Sequence, residues 1–164
     1  MRTVNGAPVR SSATATRERG LPIHTGTRLL FPEAEPGWYH RESHVAEYQQ
    51  TLKHLPLELP RGTVLPTEPP ASELGTLYQR GAGEVAALFA WLRAIEREAL
   101  RAHSAGRDLD ARHWVKVAAQ FTDTDTYAKF NDHSAPISWH VAVIEPALQG
   151  DFAPMAADVD QLVH

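Results

Sequence analysis

The feature that most constrains this chain is a stripe of apolar and small residues, Tyr78, Gly81, Val85, Leu88, Leu92, Ile95, Ala99 and Ala102, recurring in alternating steps of three and four. That period is one face of an α-helix, and it predicts a long amphipathic helix over residues 74–102. Sustained for more than three heptads, it also describes a seam along which a second helix can lie lengthwise. Leu74, Leu77, Phe89 and Trp91 widen the apolar surface beyond such a seam, so the helix is expected to pack on more than one element. Gly81 and Gly83 each cost about 1 kcal/mol relative to alanine in a helix, which makes the first turns weak and lets the helix begin as late as Gly83. Gly106 is a natural stop. Arg93, Arg97 and Arg101 lie on the polar face, with Glu96 and Glu98 between them.

On either side of this helix the texture changes. Trp38, Val45, Tyr48, Leu52 and Leu55 mark one face of a shorter helix between Pro36 and Pro56. Residues 56–71 (PLELPRGTVLPTEPPA) hold five prolines and predict an extended, semi-rigid spacer, because proline fixes φ and donates no backbone hydrogen bond. Downstream, 114–121 (WVKVAAQF) and 137–144 (ISWHVAVI) alternate apolar and polar residues, as two half-buried antiparallel strands would. Trp114, Val117, Ala118 and Phe121 fit a helical face equally well. A last short helix is expected over 155–163. The fold class is therefore α+β, a long amphipathic helix packed with a shorter helix and a small antiparallel β-ribbon, with an extended N-terminal arm. The alternative is an all-α bundle with residues 110–121 helical.

The 164 residues suit one small domain, 36–164, preceded by a basic arm over 1–35 that mixes glycine, proline, serine, threonine and arginine without a period. The absence of cysteine removes disulfide, thiolate-metal and cysteine-nucleophile chemistry and suits a cytoplasmic setting or a particle assembled inside the cell. The longest apolar run, Val85 to Leu92, is far below the roughly 20 residues a membrane span needs. Within the net charge of −4 lies an asymmetry. Residues 1–30 carry five arginines against Glu18, whereas the chain beyond Lys129 has Asp132, Glu145, Asp151, Asp158 and Asp160 and no lysine or arginine. Ends of opposite sign point to contact between the arm and an acidic surface of this chain or of a neighbour.

Candidate chemistry is sparse. His40 and His44 stand one helical turn apart, the spacing of a shared metal site, yet Glu42 lies between them rather than directly after the first and no third ligand follows from spacing. His113, Asp132, His133 and His140 would approach one another if the two strands paired, but no nucleophile motif accompanies them. Asp123 and Asp125 open like a calcium loop that then continues with Tyr127 and Ala128 in place of ligands, so loop capping is the expected use. Gly81-Ala-Gly83 ahead of an apolar helix offers backbone amides to a phosphate, without a preceding strand or a P-loop lysine.

These features point to a non-enzymatic structural or interaction subunit of a larger assembly. It would be a component of a phage-like or injection-machine particle or the accessory subunit of a complex, without cofactor and with other protein subunits as partners. The residues expected to carry that contact are Arg10, Arg17 and Arg19 on the arm and Tyr78, Leu88, Phe89, Trp91 and Leu92 on the long helix. Contact of the arm with nucleic-acid phosphates is the lesser expectation, since the isoelectric point near 6.1 opposes a polyanion. The rival class is a small metal-dependent enzyme built on His40 and His44.

Overall fold

The computed structural model describes residues 36–55, 57–131 and 134–161. Among them the chain forms a two-residue strand β1 (Trp38–Tyr39), helix α1 (Arg41–His54), strand β2 (Tyr78–Gln79), and then helices α2 (Ala82–Ser104) and α3 (Asp108–Ala119). A 3-10 turn (Gln120–Asp123), helix α4 (Asp125–Phe130), a π-helical turn (His140–Ile144) running into α5 (Glu145–Leu148), and α6 (Ala153–Gln161) follow. β1 and β2 pair antiparallel, Trp38 opposite Gln79 and Tyr39 opposite Tyr78. The architecture is helix-dominated with one minimal sheet.

The β-ribbon is not where its sequence signal lay. Residues 114–121 and 139–144 are helical, and the sheet is formed instead by segments next to Pro36 and Gly81. The reason for the first correction begins at the end of α2. Gly106 adopts φ 69°, its N–H donates to the carbonyl of His103, and the Arg107 N–H reaches back to that of Ala102. This Schellman turn reverses the chain, and Asp108 and Asp110 in the next first turn favour a helix by complementing its dipole. Ala111, Val115 and Ala118 then fall on one buried face at helical spacing, and Val117 is buried as well because α3 is covered from more than one side. The apparent alternation came from that wide buried face. In the second segment, Ile137 and Val141, two of the residues assigned to the strand's inner face, are exposed, while Val143, Ile144 and Ala147 are buried in the helical run that follows.

The long helix begins at Ala82 rather than at Leu74. Gly75 and Gly81 take φ of 86° and 93°, which breaks the helical path before the stripe begins, and leaves Leu74 exposed and Tyr78 in a strand. From Leu88 onward the stripe does what its period implies. Leu88, Leu92, Ile95, Ala99 and Ala102 are buried where α2 packs against α1, α3 and α6, and the alanines let the α2–α3 hairpin close tightly. Met155 and Phe152 complete this core from α6 and the turn before it. Of the α1 face foreseen from Val45, Tyr48, Leu52 and Leu55, only Tyr48 is buried; His44 joins it.

Candidate functional site

Two close contacts fix the α1–α2 end of the molecule. A Cβ on Gly83 would stand 2.6 Å from the carbonyl oxygen of His44 and 2.8 Å from the backbone nitrogen of Tyr48, so the two helices cross backbone to backbone there. The Glu47 carboxylate of α1 accepts from the N–H of Gly81 (3.0 Å) and of Gly83 (2.8 Å), supplying in trans the cap that Gly81 cannot give α2. The backbone amides that Gly81-Ala-Gly83 offers to an anion are thus taken by the chain's own Glu47 carboxylate. Tyr39 also donates to Glu47, and burial, followed by this carboxylate, pushes its hydroxyl up to about 12. Phe130 of α4 closes the far side, lying where a Gly81 side chain would have to go.

His44 is a packing residue in this crossing. Its ring stacks on Tyr78, centroids 3.9 Å apart and planes within 7°, and burial, aided by the Arg41 guanidinium, holds its imidazole below the ordinary range. His44 therefore sits on the buried face of α1, beside Tyr48. His40 precedes α1 at the N-cap. Among the described residues no three histidine, aspartate or glutamate side chains gather as a ligand set. His113 pairs with Glu58 at 3.1 Å, and Asp132 and His133 lie outside the described residues. Thr124 caps α4, accepting from the Tyr127 N–H at 3.1 Å, which is the capping use expected of the TDTDT loop.

The proline-rich segment is more than a spacer. From residue 57 to residue 71 it runs as a strap across the helices, and side-chain donors from those helices satisfy its carbonyls. Trp91 Nε1 donates to Glu58 O (2.8 Å), the Tyr48 hydroxyl to Pro66 O (3.0 Å), Gln49 to Thr67 O (3.1 Å), and Arg41 to Pro69 O (3.3 Å) and Pro70 O (3.1 Å). Pro60 and Pro69 are buried as anchors. A segment poor in backbone donors but rich in carbonyls suits this role, because the helices supply the donors and the prolines resist bending.

Between this strap and α2 lies a groove of about 720 Å³, walled by Val64, Leu65 and Pro66 on one side and by Phe89, Ala90, Arg93, Ala94, Arg97 and Arg101 on the other. A second hollow, about 840 Å³, continues past Thr63, Glu98 and Arg101, which both share, to Arg61, Arg107, His113 and Trp114. Val64 is 88 % exposed at its lip. The acids at this groove are already engaged. Glu68 pairs with Arg41 at 3.4 Å, and Glu98 holds Arg101 through two hydrogen bonds, one of 2.7 Å. Arg97 is exposed and forms no ion pair among the described residues, and the buried Nε of Arg93 has no acceptor there.

The acid nearest Arg93 does not neutralise it. Glu96 is completely buried, one turn along α2, and faces Asp158 of α6. Burial first, then the Asp158 charge and a hydrogen bond to it, push the Glu96 carboxyl up to about 9, with the Arg93 charge opposing. As a carboxylate Glu96 finds no donor among the described residues; as the neutral acid it can donate to Asp158, which also accepts from Trp139 Nε1 at 3.0 Å. This neutral carboxyl was not legible in the sequence, where Glu96 reads as one more charge on a polar face. A third concavity, about 860 Å³, has the opposite character, with Glu47, Glu84, Asp123 and Asp125 around Leu55, Leu57 and Leu88.

Of the residues expected to meet a partner, Leu88, Trp91 and Leu92 are buried inside the chain's own core, because α1, α3 and the strap supply the lengthwise packing the stripe called for. Tyr78 is half-buried against His44, and Phe89 lines the groove while touching Phe121. Arg10, Arg17 and Arg19 lie outside the described residues. No described helix is long and apolar enough to cross a membrane. Comparison with protein-family models, with curated proteins and with solved structures finds no match for this chain.

Proposed function

We propose that this chain is a non-enzymatic interaction subunit of a larger protein assembly. The observation that carries the reading is the groove between the strap and α2, where Arg93 and Arg97 stand beside exposed apolar surface and, among the described residues, without a carboxylate paired to them. Charged side chains that find their counter-ion only in a partner give orientation and association rate, and apolar surface beside them supplies affinity. The contact surface therefore moves from the buried seam of α2 to its polar face. Other subunits of the assembly are the partners, and the arm with Arg10, Arg17 and Arg19 adds a second, basic contact.

The test is cross-linking of the tagged chain in its own cells, followed by rebuilding of any recovered complex from purified components. The expected result is a stoichiometric protein complex whose cross-links fall on residues 61–68 and 93–101 and whose affinity drops on Arg97→Glu. A reconstituted complex whose contacts avoid the groove and which tolerates Arg97→Glu overturns the reading.

A further inference from the structure

We infer that the groove between the strap and α2 receives an extended segment of a partner protein in which acidic and apolar residues alternate, its carboxylates meeting Arg93 and Arg97. The inference rests on the interaction reading above and names the chemistry of the occupant. Arg93 and Arg97 are one helical turn apart, a rise of about 6 Å. In an extended chain, side chains two residues apart share a face at about 6.6 Å, so successive carboxylates of such a segment have nearly the spacing of the two arginine positions along α2. Each guanidinium can take a carboxylate in a two-pronged hydrogen bond. The residue between two carboxylates points the other way, toward the strap, where Val64 and Leu65 form the wall.

Charge selects the same occupant. Glu68 and Glu98 are held by Arg41 and Arg101, and Glu96 is kept neutral by its burial, so among the described residues no carboxylate pairs with Arg93 or Arg97. A nucleic acid also offers anions, but the groove borders Glu68 and Glu98 and belongs to a chain of net charge −4, which opposes a phosphate backbone. Val64, Leu65, Phe89 and the alanines of the lining suit apolar side chains set between the carboxylates.

The experiment uses the full chain and three fluorescein-labelled probes: a short peptide alternating aspartate with valine and leucine, the same peptide with asparagine for aspartate, and a single-stranded oligonucleotide of similar length. Fluorescence anisotropy should show the aspartate peptide binding with a Kd on the order of 10–100 μM at low salt, with the asparagine peptide at least about tenfold weaker. Arg97→Glu, at an exposed position that leaves the core untouched, should weaken the aspartate peptide about tenfold or more with an unchanged circular dichroism spectrum, and Arg97→Lys should restore part of the loss. Equal binding of the aspartate and asparagine peptides, tighter binding of the oligonucleotide, or indifference to Arg97→Glu overturns the assignment. Failure of the peptide with a native complex still cross-linked through residues 93–101 condemns the occupant alone; cross-links elsewhere condemn the interaction reading itself. Self-association that saturates the groove, read as a dimer by light scattering and lost in Arg97→Glu, would replace the peptide partner with a second copy and likewise overturns it.

Discussion

Replacing Glu96 by glutamine should make this protein more stable at neutral pH, although the residue is wholly buried and sits beside a charged neighbour. In the unfolded chain the Glu96 carboxyl has its ordinary value of 4.5, and in the folded protein it rises to about 9. Raised in the native state, it contributes its full stability below pH 4.5, and that stability is lost as pH climbs toward about 9. At pH 7 the native state holds a proton that the unfolded chain has released, at a cost of about 3 kcal/mol from roughly 1.4 kcal/mol per pH unit. Glutamine keeps the shape and a donor for Asp158 without that cost. Its carbonyl oxygen finds no protein donor, as the acid's second oxygen does not, so part of the gain is retained by neither form. The expected net stabilisation is about 1–3 kcal/mol at pH 7, shrinking toward zero near pH 4.5. Urea denaturation followed by tryptophan fluorescence, repeated from pH 5 to pH 9, measures it. Wild-type stability should fall across this range more steeply than that of Glu96→Gln, and difference infrared spectra at pH 7 should contain a protonated-carboxyl band that the variant lacks. A wild-type curve no steeper than that of the variant, or a variant less stable at pH 7 with no such band to lose, would refute a neutral Glu96.

The other tests probe the α1–α2 crossing. Gly83→Ala places a methyl group 2.6 Å from the His44 carbonyl and 2.8 Å from the Tyr48 nitrogen, and neither backbone atom can yield cheaply, so it should destabilise by about 1–3 kcal/mol in urea denaturation despite alanine's better helix propensity. Glu47→Gln keeps one acceptor for Gly81 and Gly83 but removes the charge at the start of α2. A loss of about 1–2 kcal/mol is expected, and Tyr39, freed from its carboxylate acceptor, should titrate below about 12 in an ultraviolet pH titration. An unchanged tyrosine titration would show that burial alone raises Tyr39.

What could be read from the residues followed their local character. The period from Leu88 to Ala102 is carried by every turn of α2, and Gly106 ends the helix because only a left-handed residue closes the Schellman turn, so both stand in the sequence as plainly as in the structure. Residues 114–121 carried two periods at once, since Val115, Val117 and Ala118 are all buried in a helix covered from several sides, and alternation within a wide buried face imitates a strand. The helix start at Ala82 depends on Glu47, far away in sequence, and no local pattern announces a cap donated from another element.

The candidate site was least legible for the same physical reason. Arg93, Arg97 and Glu96 read as a solvated charged face, and their separation into a groove pair and a buried acid depends on where the strap and α6 come to lie. Those positions are set by long-range contacts. Trp91, expected as an interface residue, spends its indole N–H on the Glu58 carbonyl and so pins the strap that forms the groove. Tyr48 and Gln49 pin it again at Pro66 and Thr67. The four prolines of the strap, Pro60, Pro66, Pro69 and Pro70, therefore shape the groove: they keep the strap from collapsing into helix or sheet, and its carbonyls take donors from α1 and α2. A chain with the same α2 and a flexible linker in place of residues 57–71 would keep Arg93 and Arg97 on α2 but lose the wall of Val64, Leu65 and Pro66 that faces them.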